Sequence, residues 1–187
     1  MKELFHQLII TIFIERNKMI TTIYHNKELR LLGTALLGCG LITIGSLIRV
    51  PLYPVPFTCQ TLAIFILALT QSPKEVLASV LCYLFCASLG LPVLDGRINS
   101  LWITGKCAGY LISFPIAAYL IARLRQTFHP ILALLCGQTI ILLLGWIGLT
   151  PFLGAKTAFF KGVLLFIPSG ILKAWTAIVI VKKRSNQ

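Results

Sequence analysis

The residue most suggestive of chemistry is Lys173, a basic side chain inside an otherwise apolar run. An ionisable group in a membrane-grade segment is costly to bury, so it marks a functional site by default. Lys173 follows Pro168 by five residues, which puts it within about two helical turns of the end of that run. The ammonium group could equally extend to the membrane interface, and position alone leaves both interpretations open.

Loops on one side of the predicted bundle supply further polar side chains from which a pocket could be built. The loop 49–60 contains three prolines, so it is stiff and cannot be helical throughout. The loop 91–106 lies between glycines and carries four side chains of interest: Asp95, Arg97, Asn99 and Trp102. Asp95 could pair with Arg97 or Lys106 at the loop surface, or accept a hydrogen bond from a ligand. With the aromatic residues near Pro168, these loops would form a positive, aromatic-lined pocket, which suits a small, partly apolar anion.

Sequence patterns of covalent catalysis are absent from the chain. There is no GxxxxGK[ST], HExxH or GxSxG motif, and the three histidines fall in predicted cytoplasmic segments. The six cysteines have no metal-ligand spacing and are interpreted as small helix-packing residues. No pair of carboxylates lies within the apolar runs to relay protons, so transport would be passive or driven by a partner. We therefore expect no catalytic residue, no metal site and no cofactor.

The elements that must position these residues are membrane helices. Hydrophobic residues make up 57% of the chain and charged residues 12%, whereas a soluble domain carries about 25% charged residues. A membrane-spanning helix needs roughly 20 apolar residues. The composition therefore predicts an all-α integral membrane protein with six transmembrane helices, which form one domain over 31–187. The predicted spans are 31–48, 57–70, 76–89, 107–122, 130–149 and 157–181.

Residues 1–30 form a separate N-terminal segment in this interpretation. Apolar residues recur at helical spacing in its first half, which predicts an interfacial helix on the membrane surface. The alternative is that translation begins at Met19, which would leave residues 1–18 without a function.

The net charge of +12 indicates how the bundle is oriented. Its basic residues are spread between the spans, which favours membrane lipid and anionic ligands over nucleic acid as partners. Eleven Lys and Arg residues fall on the side that carries the termini and five on the other side. The positive-inside rule therefore puts both termini in the cytoplasm and the protein in the cytoplasmic membrane.

Small residues at four-residue spacing mark one face of the first span. Ala35 and Cys39 belong to this face, and such faces allow membrane helices to approach closely. The face could bind a partner protein, or it could pack against other helices of the same bundle.

The segment 54–62 reads PVPFTCQTL, which fits the pattern PVPxTxQTL. This pattern and three others, in register, resemble the BioY family, the biotin-binding S components of energy-coupling factor (ECF) transporters. The likeness continues at Gly90–Val93 and in the stretch 105–114, where Gly109, Tyr110, Leu111 and Phe114 are intact. The segment 166–173 resembles the PFLPGDLLK stretch of the last helix. The resemblance covers roughly residues 31–181.

The resemblance implies an S-component-like bundle that captures biotin and works with a transmembrane coupling protein and two ATPase subunits. Ala35 and Cys39 would then form the coupling face. Motif matches suggest Lys173, Tyr110, Gln60 and Thr58 as site residues, with Thr58 bracing the loop. Chemistry and position add three more: Arg97 for the carboxylate, Trp102 for the rings and Asn99 as a hydrogen-bonding group.

The chain departs from the family pattern at Gly170, where the family has an aspartate. The departure leaves a ureido N–H of biotin without its usual acceptor, unless Asp95, Asn99 or a water replaces it. An unpaired buried donor costs about 1–3 kcal/mol. The alternative that follows is an S component or lone facilitator for a related carboxylate-bearing cofactor. A separate alternative is an integral membrane transferase, which would need convergent acidic or histidine residues at one membrane face, and the sequence lacks these.

Overall fold

A computed structural model describes residues 26–96 and 98–185. Within them the chain is a bundle of α-helices with one small β-hairpin, so the predicted all-α architecture is confirmed. The helices are α1 (Lys27–Leu47), α2 (Gln60–Thr70), α3 (Pro73–Ser88), α4 (Ala108–Leu124), α5 (Pro130–Leu153), α6 (Ala155–Gly162) and α7 (Ile167–Ser185). The predicted interfacial helix and Arg97 lie outside the described residues.

Helix starts follow the local sequence. The side chain of Asn26 accepts a hydrogen bond of 3.1 Å from the backbone N–H of Glu28 and caps α1. Ser72 and Glu75 form a reciprocal capping box at the start of α3, where Pro73 is the first helical residue. These signals explain why α1 begins at Lys27 and α3 at Pro73.

Among the described residues, three helical runs are long and apolar enough to cross a membrane: Lys27–Leu47, Pro130–Leu153 and Ala155–Arg184. Helix α2 has 11 residues, or about 16 Å at 1.5 Å per residue, roughly half of a bilayer core of about 30 Å. The spans predicted as short are therefore short in the structure. The predicted last span, 157–181, is divided into α6, a 3-10 turn at Leu164–Phe166, and α7.

Helix α1 packs against α3 through small residues. A Cβ at Gly38 would overlap the hydroxyl-bearing side chain of Ser79, so the two backbones approach closely. Ala35 and Cys39 lie on this buried side of α1, with 6% and 8% of their surface exposed. The structure therefore uses the predicted small-residue face for packing within the bundle, the second of the two interpretations.

The loop between α1 and α2 forms a short antiparallel hairpin. Strand β1 (Arg49–Val50) pairs with β2 (Phe57–Thr58), with Arg49 opposite Thr58. The loop is non-helical, as its prolines predicted, but the strand pairing was not predicted. The predicted second span began at residue 57, whereas α2 begins at Gln60 because Phe57 and Thr58 belong to the hairpin. The hairpin brings Phe57 and Thr58 to the start of α2, where they face α7.

Candidate ligand-binding site

A cavity of about 70 Å³ lies between the hairpin and helices α2, α4, α5 and α7. Its walls are mainly apolar, as is usual for small-molecule sites. Its polar lining residues are Thr58, Gln60, Thr61, Tyr110, Gln138, Ser169 and Lys173. The sequence motifs at 54–62 and 166–173 thus meet at one cavity although more than 100 residues separate them.

Lys173 supplies the positive charge of the cavity. Its Nζ donates hydrogen bonds of 2.7 Å to the carbonyl oxygen of Thr58 and 2.8 Å to Oγ1 of Thr61. It also lies 4.2 Å from the centroid of the Phe57 ring, a cation–π contact. An ammonium group has three N–H donors, and two of them are used in these hydrogen bonds; the third has no hydrogen-bond acceptor among the described residues. The structure therefore favours the inward position of Lys173 over extension to the interface.

Aromatic rings form the wall beside this lysine. The Phe57 and Phe166 rings are stacked with centroids 6.4 Å apart and planes at 21°. The ring of Tyr110 lies 6.3 Å from that of Phe166. The Tyr110 hydroxyl donates to the carbonyl oxygen of Gly162 at 2.7 Å, so its polar end is held by α6. The ring face is left as a flat apolar surface at the cavity.

Thr58 and Gln60 are held mainly by each other and by α3. The Thr58 hydroxyl donates to Oε1 of Gln60 at 2.8 Å, and Nε2 of Gln60 donates to the hydroxyl of Tyr83. The Tyr83 hydroxyl in turn donates to the carbonyl oxygen of Val93. This chain of bonds fixes the hairpin at the cavity edge.

The loop 91–106 contributes less than its chemistry suggested. Trp102 is 7% exposed, donates from Nε1 to Oγ of Ser88 at 3.0 Å, and does not line the cavity. Asn99 is exposed and also lies outside the cavity. Asp95 forms an ion pair of 3.3 Å with Arg49, a partner that neither interpretation of Asp95 had named.

Gln138 of α5 is the cavity residue that sequence reasoning missed. It is 8% exposed, and its Oε1 has no hydrogen-bond partner among the described residues. The signal was present, because a glutamine within the apolar run 130–149 is as unusual as the lysine in the last run. Reasoning from charge alone overlooked it because the amide is neutral.

Three cysteines meet between α1 and α3, away from the cavity. The sulfur atoms of Cys39, Cys82 and Cys86 lie within 4.8 Å of one another. Cys82 and Cys86 are one helical turn apart, but Cys39 comes from another helix, so spacing along the chain did not predict the cluster. All three belong to or pack against the apolar core, in agreement with a packing role.

Comparison with known proteins gives a consistent result. The sequence model described as the BioY family matches residues 17–187. A probable biotin transporter BioY of Pyrococcus horikoshii is 38% identical, over 77% of this chain and 89% of that protein. A probable biotin transporter BioY of Rickettsia prowazekii is 30% identical, over 84% and 89%. The crystal structure of an S-component for biotin from an ECF-type ABC transporter superposes with a TM-score of 0.76 at 28% identity, covering 87% of this chain and 94% of that one.

Proposed function

The chain belongs to the BioY family, and we propose that it takes up biotin as the substrate-binding S component of an ECF transporter. It is a membrane transport protein rather than an enzyme. In this proposal it binds biotin without covalent chemistry, and separate ATPase subunits supply the energy through a transmembrane coupling protein.

The observation that carries the proposal is the position of Lys173 at a cavity with aromatic walls. Biotin has a carboxylate at the end of an alkyl chain and a ureido carbonyl in one of its two fused rings, and both are hydrogen-bond acceptors. Its other, sulfur-containing ring and the alkyl chain are apolar. The remaining N–H of Lys173 can donate to one of these oxygens. The rings of Phe166 and Tyr110 line the cavity and offer apolar surface for the sulfur-containing ring and the alkyl chain. The Phe57 ring packs against Phe166 and Lys173.

The loop 91–106 has a secondary role in the proposal. Arg97 would bind the carboxylate, a role that rests on its charge and its place in that loop. Trp102 is buried and donates a hydrogen bond to Ser88, which supports a role in holding the loop against α3. Its indole would then affect the site through the position of the loop. Asn99 remains a candidate hydrogen-bonding group if the loop closes over the ligand.

We also propose that both termini face the cytoplasm across the cytoplasmic membrane. The support is the excess of Lys and Arg on the terminal side, including three basic residues in the last turn of α7: Lys182, Lys183 and Arg184. Ala35 and Cys39 are buried in the bundle. A coupling protein that binds α1 would therefore contact its exposed side, which includes Leu37 and Gly40.

Titration calorimetry of the detergent-purified protein with biotin tests the binding function. We expect submicromolar affinity that is lost in Lys173→Met and kept in Lys183→Met, an exposed lysine of the same helix. Failure of the folded, monodisperse wild type to bind biotin would contradict the proposal.

A second candidate substrate is a related carboxylate-bearing cofactor, such as lipoate. Gly170 at the family's aspartate position is the observation behind this candidate, because lipoate has no ureido group that would need an acceptor from position 170. A parallel titration with lipoate separates the two substrates. Uptake assays with and without ATPase subunits separate the coupled transporter from a lone facilitator.

A further inference from the structure

We infer that the side-chain amide of Gln138 accepts a hydrogen bond from the substrate, specifically from one ureido N–H of biotin. This inference rests on the proposed function and deepens it, because it names the residue that would recognise the group distinguishing biotin from other carboxylate-bearing cofactors.

The first observation is an unpaired acceptor atom on a residue that lines the cavity. Gln138 is 92% buried (8% exposed), lines the cavity, and has no partner for Oε1 among the described residues. Buried polar atoms are nearly always hydrogen-bonded, and an exception calls for an explanation. A donor N–H on a ligand would satisfy this oxygen.

The second observation is that neighbouring acceptors are already engaged. The carbonyl oxygen of Thr58 and the hydroxyl of Thr61 both accept from Lys173. Oε1 of Gln60 accepts from the Thr58 hydroxyl. The described residues that line the cavity include no carboxylate. The hydroxyls of Ser169 and Thr58 each donate a hydrogen bond and can still accept one. The amide oxygen of Gln138 is the acceptor at the cavity that is buried without any partner among the described residues.

The third observation is the fit between Gln138 and Gly170. A Cβ at position 170 would lie 2.6 Å from both Cδ and Nε2 of Gln138, so any side chain there would displace the amide. The glutamine of α5 thus occupies the space beside α7 that the absence of a side chain leaves open. In this chain the acceptor comes from α5 rather than from position 170.

Together the two helices present complementary groups. Lys173 of α7 offers an N–H donor and Gln138 of α5 offers an acceptor, the pair that a ureido group with its carbonyl and N–H atoms requires. A ligand without an N–H leaves the amide oxygen unpaired, and sites built to bond a polar group reject analogues that lack it. The pair therefore selects for biotin over lipoate.

Calorimetry on the full-length protein in detergent tests the inference with Gln138→Met, which keeps the length of the side chain but removes the acceptor. We expect biotin affinity to fall about ten- to hundredfold. Gln138→Glu, which retains acceptor oxygens, should keep most of the affinity. Thr139→Val is the matched control on α5, because the Thr139 hydroxyl is exposed and bonds only its own helix.

Biotin methylated singly at either ureido nitrogen gives the decisive comparison. One of the two methyl isomers should bind the wild type more weakly than biotin does. The same isomer and biotin should bind Gln138→Met with similar affinity, because the hydrogen bond is already absent in that variant. The inference would be overturned if each methyl isomer lowered the affinity of Gln138→Met by the same factor as that of the wild type. It would also be overturned if Gln138→Met bound biotin as tightly as the wild type does. Absence of biotin binding by the wild type would instead overturn the proposed function.

Exchange of the two positions provides an independent test. Gly170→Asp alone should weaken binding because its side chain collides with Gln138. The double variant Gly170→Asp, Gln138→Ala supplies an acceptor from α7 and should recover at least tenfold over Gly170→Asp. No recovery in a folded double variant would count against the exchange of acceptors.

Discussion

Lys173 of α7 donates a hydrogen bond of 2.7 Å to the carbonyl oxygen of Thr58, 115 residues earlier in the chain. The bond ties the last helix to the hairpin before α2. The same ammonium group is held over the Phe57 ring. The hairpin therefore positions Lys173. A ligand that binds this ammonium group must do so while the group keeps its contacts with Thr58 and Phe57.

Removing one of the two acceptors of Lys173 should weaken binding without abolishing it. Thr61→Val deletes the hydroxyl that accepts from Nζ at 2.8 Å, while the Thr58 carbonyl keeps the lysine near its place. We expect a loss of about 1 kcal/mol, or roughly fivefold in biotin affinity, by calorimetry. Thr70→Val is the control, because its hydroxyl bonds its own helix at the far end of α2. Equal effects of both variants would argue against the role of Thr61.

The Tyr110 hydroxyl should contribute to stability rather than to binding. Tyr110→Phe leaves the ring at the cavity but removes the donor to the buried Gly162 carbonyl. We expect the free energy of unfolding to fall by about 1–3 kcal/mol because the carbonyl loses its partner. Thermal unfolding in detergent measures this, with Tyr119→Phe, at an exposed site, as control. Unchanged stability with a large loss of biotin affinity would contradict the assignment.

Gly145 should be intolerant of any side chain. A Cβ there would occupy the place of the Tyr110 ring, so Gly145→Ala must move the ring that lines the cavity. We expect about 1–3 kcal/mol of destabilisation from overpacking, together with weaker biotin binding. Gly40→Ala is the matched control, because its Cβ would meet nothing within 4 Å. A normal melting temperature in Gly145→Ala would show that the close approach is not required.

Arg125 should stabilise the C-terminal end of α2. Its guanidinium donates to the carbonyl oxygens of Leu69 at 2.7 Å and Gln71 at 3.0 Å, and so satisfies groups that a helix end leaves unpaired. Arg125→Met should lower the free energy of unfolding by about 1.5–3 kcal/mol. The exposed Arg123 is the control site for the same substitution. Equal melting temperatures for Arg125→Met and Arg123→Met would show that Arg125 does not stabilise the end of α2.

Local sequence was sufficient to predict the helices and their approximate ends. Apolar runs, prolines and capping residues act within a few residues of themselves, so the spans and the non-helical loop between the first two could be anticipated. The division of the last span into α6 and α7 was not predicted. Lys173 was also predictable, because the cost of a charge in an apolar run does not depend on which residues surround it.

Tertiary packing decided which side chains share the cavity. Trp102 had suitable chemistry for a binding wall but packs against α3, and Ala35 and Cys39 turned into the bundle. Gln138 and Gly170 come together only because α5 and α7 pack side by side, and no spacing along the chain encodes that distance. Sequence by itself determined the membrane helices and the buried cation, whereas the acceptor that faces the substrate depends on contacts between residues far apart in the chain.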